Sequence, residues 1–237
     1  MHHRSSIALN KRIIFALDIS EPALAREWVT RLEPSLGFFK VGLELFLAGG
    51  FPMVDWITNR GHEVMLDLKF FDVPQTVRAA VQQLRSTGIS LATVHGNDAI
   101  LQAAVEGAEG FGILAVTALT SLDESDLKEL GFACSPESLV LSRAKRALEL
   151  GCAGVVSSGL EIPRLRAAFG SSLLLVAPGV RPVENRTDDQ KRIVTVHEAF
   201  ANGADHVVLG RPIRQAEDPL RLISSLQQQI EEALSQR

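Results

Sequence analysis

Val64-Met65-Leu66-Asp67-Leu68-Lys69-Phe70-Phe71-Asp72-Val73-Pro74-Gln75-Thr76 is an apolar run that ends in charge. The part from 64 to 69 reads as a buried strand, and side chains along a strand alternate between its two faces. Met65, Asp67 and Lys69 therefore share one face, and Val64, Leu66 and Leu68 the other. Asp67 and Lys69 lie side by side at the carboxyl end of the strand. Asp72 adds a third charge beyond Phe70 and Phe71, and Pro74 opens a helix at its first turn. For an isolated Asp-x-Lys, an internal ion pair that only stabilises is as good a reading as a site. The flanking sequence decides between them.

Outward from this strand one phrase recurs: a glycine, a short polar step, an apolar strand and a chemically useful residue at its end. Gly61 leads into 64–69, Gly88 into Leu91–His95, Gly110 into 113–117 and Thr120, and Gly151 into 155–158. Gly170 leads into 173–177 and Gly179, and Gly203 into 207–210. Each glycine suits the left-handed residue that closes a helix before the next strand. Amphipathic helices are expected over 75–86, 99–108, 138–150, 162–169, 193–202 and 220–234. Upstream, the strand 12–18 ends in Asp18, and Ser20 with Pro22 starts a helix reaching about 33. A second strand, Phe38-Phe39-Lys40-Val41-Gly42, precedes a helix over 43–59.

Apolar strands alternating with helices imply a parallel sheet covered on its outside. Eight such units fit a closed (β/α)8 barrel, the TIM barrel, better than an open doubly wound sheet. The first turn, Leu17-Asp18-Ile19-Ser20, has none of the glycines a dinucleotide-binding turn requires. No linker or shift in composition divides the chain. One α/β domain is expected over 1–237, with residues 1–10 a flexible tail.

The 237 residues are 46% hydrophobic and 22% charged, enough for one large core. A net charge of −4 with no basic tract makes nucleic acid an unsuitable partner. Cys134 and Cys152 have neither metal-ligand nor redox spacing, so a reduced, cytoplasmic setting is expected. No apolar run approaches the length of a membrane span, and the N-terminus has no hydrophobic signal region.

A barrel of this kind carries its chemistry at the carboxyl ends of the strands. Asp18, Lys40, Asp67 and Lys69 come from the first three strand ends and point into one mouth. Four alternating charges at one rim are hard to explain as packing. The far side reads as a phosphate site. Pro178-Gly179-Val180-Arg181-Pro182 and Leu209-Gly210-Arg211-Pro212 leave strands seven and eight, where such barrels hold phosphate. Glycine lets backbone N–H groups approach an anion, and arginine can pair with it bidentately. The polar stretch 184–190 suits a lid or a solvated loop. His95 reads as a hydrogen-bonded rim residue, and Trp28, Trp56 and the helical phenylalanines as core. No group has metal-ligand spacing, although Asp67 with another carboxylate could hold magnesium.

Asp67-Leu68-Lys69-Phe70-Phe71-Asp72-Val73-Pro74-Gln75-Thr76 resembles the D-x-K-x-x-D-[IV]-P-x-T signature of the orotidine 5′-monophosphate decarboxylase family. The likeness runs from about 12 to 213. It takes in Ala16-Leu17-Asp18, Phe39-Lys40-Val41-Gly42, Ala115 to Thr120, Pro178 to Pro182 with Asp189-Gln190, and Gly203 to Ile213. Gln75 stands where Asn is frequent, and Val196 where Pro often follows the Thr.

The resemblance implies a cofactor-free, cytoplasmic decarboxylase making uridine 5′-monophosphate in pyrimidine synthesis. It implies a homodimer in which Lys40, Asp67 and Lys69 form a charged chain with Asp72 of the second subunit. Asp18 and Lys40 would hold ribose hydroxyls, and Thr76 would reach the ribose across the interface. Thr120 would bind the pyrimidine, Arg181, Gly210 and Arg211 the phosphate, and Gln190 would bridge phosphate and base. No metal is expected. Two alternatives are a magnesium-dependent sugar-phosphate decarboxylase or aldolase of the same barrel group, and a barrel that binds nucleotide without turning it over.

Overall fold

The computed structural model describes residues 7–119, 122–181 and 194–236. Eight strands close a parallel barrel in sequence order. They are β1 (Ile13–Ala16), β2 (Phe38–Gly42), β3 (Glu63–Phe70), β4 (Leu91–Val94), β5 (Gly112–Val116), β6 (Gly154–Val156), β7 (Leu174–Pro178) and β8 (His206–Leu209). The ring shuts where β1 pairs with β8, Ile13 opposite Val207 and Phe15 opposite Leu209. Between the strands run α2 (Pro22–Leu32), α3 (Leu43–Thr58), α4 (Pro74–Gln82), α5 (Asp98–Gly107), α7 (Pro136–Glu149), α8 (Ile162–Phe169) and α9 (Val196–Ala201), and α11 (Pro219–Ser235) closes the described chain. Short helices α1 (Leu9–Arg12), α6 (Glu124–Glu129) and α10 (Arg211–Arg214) complete the set among the described residues.

Alternation along each strand sorts the core into two layers. Ile14, Phe38, Met65, Leu91, Leu114, Val156, Leu174 and Val208 fill the inside of the barrel. Their neighbours Ile13, Phe39, Val64, Leu66, Ala92, Ile113, Val155, Leu175 and Val207 pack outward against the helices. This is why the strands are apolar on both faces, as a parallel sheet buried on both sides requires. At the amino end, the fully buried Asp205 accepts from the Arg166 guanidinium at 2.7 Å and from the Leu175 N–H at 2.9 Å. That carboxylate pins α8 to β7 and β8 at the end of the barrel opposite the carboxyl-terminal strand tips.

Local chemistry explains the helix starts. The Asn97 side chain accepts from the Ile100 N–H, Ser135 caps α7 with Pro136 at its first position, and Thr195 and Glu198 form a reciprocal capping box. Each such cap contributes about 1 kcal/mol.

Three expectations are corrected. Leu9 and Asn10 are not part of a flexible tail; they open α1, and Leu9 packs against the outer core. Ser20 does not cap α2, whose N-cap is Glu21 with no side-chain bond, so Pro22 alone preorganises that start. Trp28 and Trp56 do pack on the core, but Phe51 is 38% exposed and edges against Phe46.

Candidate active site

The site residues sit one step above the barrel's inner layer. Counting two residues on from an inward-facing core residue gives Asp18 from Ala16, Lys40 from Phe38, Asp67 from Met65 and Thr93 from Leu91. Because the period is two, each points into the carboxyl-terminal mouth. Lys40, Met65, Asp67, Lys69, Val116, Leu119, Pro178 and Val208 are among the residues lining a cavity of about 150 Å³ there.

Within one protomer Asp18, Lys40, Asp67 and Lys69 form a continuous run of ion pairs. Lys40 Nζ donates to Asp18 Oδ1 at 2.8 Å and lies 3.6 Å from Asp67 Oδ2. Lys69 Nζ donates to Asp67 Oδ1 at 2.9 Å. The side chains of Lys40 and Asp67 are only 10% and 12% exposed, whereas Lys69 is 36% and Asp18 52% exposed. The chain thus runs from a wet end at Asp18, through a dry centre, to an ammonium at the lip of the cavity. Burial alone would push the Asp67 carboxyl up. The Lys40 and Lys69 charges, with hydrogen bonds from Lys69 and Thr93, outweigh it and hold Asp67 below the usual carboxylate range. Asp67 is therefore ionised at neutral pH.

Strict alternation fails at Lys69. Its φ is +48°, the one non-glycine in the left-handed region among the described residues. Met65 and Leu66 pair with Leu91 and Ala92, but Phe70 pairs with Val94, so β3 takes four steps where β4 takes two. This bulge re-aims the strand tip, as bulges beside active sites do. Thr93 fills the gap: its hydroxyl accepts from the Lys69 backbone N–H at 3.0 Å and donates to Asp67 Oδ1 at 2.8 Å. Nothing in Leu91-Ala92-Thr93-Val94 marks Thr93 beyond being the one hydroxyl in an apolar strand.

Asp72 and Thr76 do not join the chain within one protomer. Both are exposed, and the Asp72 carboxylate accepts from its own neighbour, Val73 N–H, at 2.6 Å. Among the described residues Asp72 makes no ion pair. Apolar side chains beside it face outward, Phe71 at 67% exposed and Val73 at 62%. His95 is a rim residue as expected. Its Nδ1 bonds the Val116 carbonyl oxygen at 3.2 Å and its ring meets Phe71 edge-on. Burial first, then the nearby Arg143, lowers its pKa.

On the far side of the mouth, beyond β7, Arg181 N–H donates to the Val194 carbonyl at 3.0 Å. Gly210 precedes Arg211 at the start of α10; a Cβ there would lie 3.1 Å from Ala16 Cβ and 3.7 Å from Asp18 Oδ2. The last turn therefore abuts the first strand and the wet end of the charged chain. Thr120 and Gln190, with the polar stretch 184–190, lie outside the described residues.

A larger cavity, about 590 Å³, opens at the amino ends of the strands beside Lys11, Glu63 and His206. Lys11 and Glu63 pair with each other at 2.7 Å, and His206 Nδ1 bonds the Lys11 carbonyl at 2.9 Å. Its polar groups are committed to structure, which leaves the smaller, charged mouth as the candidate site. Among the described residues, no three His, Cys, Asp or Glu side chains group as metal ligands would. No described helix is long and apolar enough to cross a membrane.

A parallel (β/α)8 barrel with a lysine–carboxylate chain at the carboxyl ends of its first strands carries its charged groups where enzymes of this barrel class hold their chemistry. Residues 11–225 match the Orotidine 5′-phosphate decarboxylase / HUMPS family. The chain belongs to that family. It is 54% identical to the orotidine 5′-phosphate decarboxylase of Methylococcus capsulatus, over 97% of this chain and 96% of that one. It is 43% identical to that of Stenotrophomonas maltophilia, over 96% of each. The crystal structure of orotidine 5′-phosphate decarboxylase from Lactobacillus acidophilus superposes with a TM-score of 0.82 at 31% identity, covering 93% of this chain and 99% of that one.

Proposed function

We propose that the protein converts orotidine 5′-monophosphate to uridine 5′-monophosphate and CO2 in pyrimidine biosynthesis, as a cytoplasmic homodimer without a cofactor. The observation that carries this reading is the charged chain ending in the Lys69 ammonium, 2.9 Å from Asp67, at the edge of an apolar cavity.

Breaking the bond from C6 to the carboxylate leaves its electron pair on C6. A fixed ammonium in a site of low polarity stabilises that charge and then delivers a proton to the same carbon. Asp67 aims the Lys69 ammonium through their 2.9 Å bond. Both Asp67 oxygens already face ammonium groups, which leaves this carboxylate poorly suited to a divalent cation. Lys40 and Asp18 suit the ribose hydroxyls. Arg181, Gly210 and Arg211 suit the phosphate, whose binding energy, remote from the bond that breaks, is available to raise kcat. From the family resemblance, Thr120 is assigned to the base and Gln190 to a bridge between phosphate and base.

Asp72 and Thr76 would act in the second subunit's site. The exposure of Asp72 between Phe71 and Val73 supports this, because a second copy would cover those apolar groups and bring the carboxylate to an ammonium. The loss of orotidine absorbance in the ultraviolet, followed in excess chelator, tests the reading. Turnover is expected; no turnover, or turnover that chelation abolishes, overturns it.

A further inference from the structure

We infer that Thr93 is a positioning residue that sets the aim of the Lys69 ammonium by locking both the backbone and the side chain of that lysine to Asp67. The inference rests on the decarboxylase reading above.

Four atoms close a ring. The Lys69 N–H donates to Thr93 Oγ1 at 3.0 Å, Thr93 Oγ1 donates to Asp67 Oδ1 at 2.8 Å, and Lys69 Nζ donates to that same oxygen at 2.9 Å. A threonine hydroxyl has one proton. With the Lys69 amide pointing at its lone pairs, that proton belongs to Asp67, so the direction of every bond in the ring is fixed. Thr93 itself is fully buried in β4, and as a β-branched residue it has few χ1 choices. It is a rigid peg under a strand tip that needs one.

The need is specific. Lys69 sits at φ +48° in the bulge of β3, where a non-glycine backbone is strained and persists only when its surroundings over-determine it. Between the pairs Leu66–Ala92 and Phe70–Val94 no β3–β4 pair holds the strand, and the Thr93 hydroxyl is the group that takes up the Lys69 amide. A lysine side chain also has several rotatable bonds, and catalysis needs one arrangement of them. Tying the amide and the ammonium of one residue to one carboxylate oxygen removes both freedoms.

The test compares Thr93→Val, which keeps shape and loses the hydroxyl, with Thr93→Ser, which keeps the hydroxyl and loses a methyl. Misplacing a reacting group by about 1 Å lowers rate by about 100-fold. Thr93→Val is therefore expected to lower kcat about 10- to 100-fold, with KM and uridine monophosphate affinity changed less than about threefold. Thr93→Ser is expected to stay within about threefold of the parent in all three. A Val variant with unchanged kcat overturns the inference while leaving the decarboxylase reading standing. So does a Ser variant that falls as far as Val, or equal losses of kcat and affinity, which mark a general collapse of the site. A parent protein with no turnover overturns the reading instead. The ring is then tested by titrating the Asp67 carboxyl through its ¹³C shift, which should move to higher pH in Thr93→Val; no movement overturns the ring.

Discussion

Asp67→Asn tests whether the charged chain stabilises the fold or strains it. Two effects oppose each other. Burial of a carboxylate at 12% exposure disfavours its charge, and two ammonium groups favour it. The carboxyl is held below its usual value, so the ionised form is better accommodated in the folded site than in water. Pairing therefore wins, and the variant should be less stable. Asparagine keeps one oxygen for Thr93 and Lys69, but then turns its NH2 toward Lys40 Nζ, now 3.6 Å from a carboxylate oxygen. A charge-assisted hydrogen bond contributes about 1.5–3 kcal/mol. Relief of the buried charge and the 36% exposure of Lys69, which lets solvent screen that pair, reduce the net to about 1–2 kcal/mol. In a domain of this size that is a fall in Tm of about 2–8 °C. The sign with pH follows from a depressed carboxyl. The stabilisation is complete above the unfolded value near 3.8 and is lost as pH falls through the lower, folded value. Urea unfolding of both proteins from pH 7 to pH 3 measures this. The gap should be full at pH 7 and shrink only below about pH 4. An Asn variant as stable as the parent at pH 7, or a gap that ignores pH, would falsify the balance drawn here.

Other perturbations separate the remaining parts of the site. Lys69→Ala and Asp72→Ala should each lack turnover, yet regain some when the two proteins exchange subunits, since one mixed site then holds both native residues; proven exchange without recovery would place Asp72 outside the site. Arg211→Ala should weaken uridine monophosphate by about 10- to 100-fold, the range for one charge-assisted contact, and leave uridine unaffected. Equal affinity for the nucleotide would remove Arg211 from the phosphate site. Gly159→Ala would drive a Cβ into Val194 Cγ2, and Val194 is the residue that holds Arg181 N–H. Overpacking of about 1–3 kcal/mol should appear with weaker nucleotide binding. Adding Val194→Ala, which deletes the clashing methyl, should restore both; no restoration would mean that the contact does not set Arg181.

Most of this architecture is written in the period-two pattern. Phe38-Phe39-Lys40 and Met65-Leu66-Asp67 announce which faces are buried and which charge ends up over the inner layer, and the structure follows them. The pattern is silent where pairing rather than hydropathy decides. The slip of β3 against β4 depends on hydrogen-bond register, which an apolar run does not encode, so the left-handed Lys69 was not legible. Thr93 was missed for a related reason: a β-branched residue in a strand is what propensity alone predicts, and its role arises only once Lys69 is bent toward it. Helices α1 and α10, of 4 residues each, and α6, of 6, are too short to show a helical period. Asp72 was legible as a charge in the motif, and within one protomer its carboxylate meets only the Val73 N–H among the described residues.

The position of the strain also says how the site is built. A bend at a strand tip would ordinarily relax by sliding the strand, and a slide of one residue would turn Met65 out of the barrel and Leu66 into it. Leu66 and Met65, both buried, forbid that, because each fills a different layer of the core. With the lower half of β3 locked by packing and Phe70 locked by its pairing to Val94, the irregularity has only 67–69 in which to lie. The barrel's core thus does more than hold the strands together. It confines a costly backbone conformation to Lys69, whose amide the Thr93 hydroxyl takes up from the next strand.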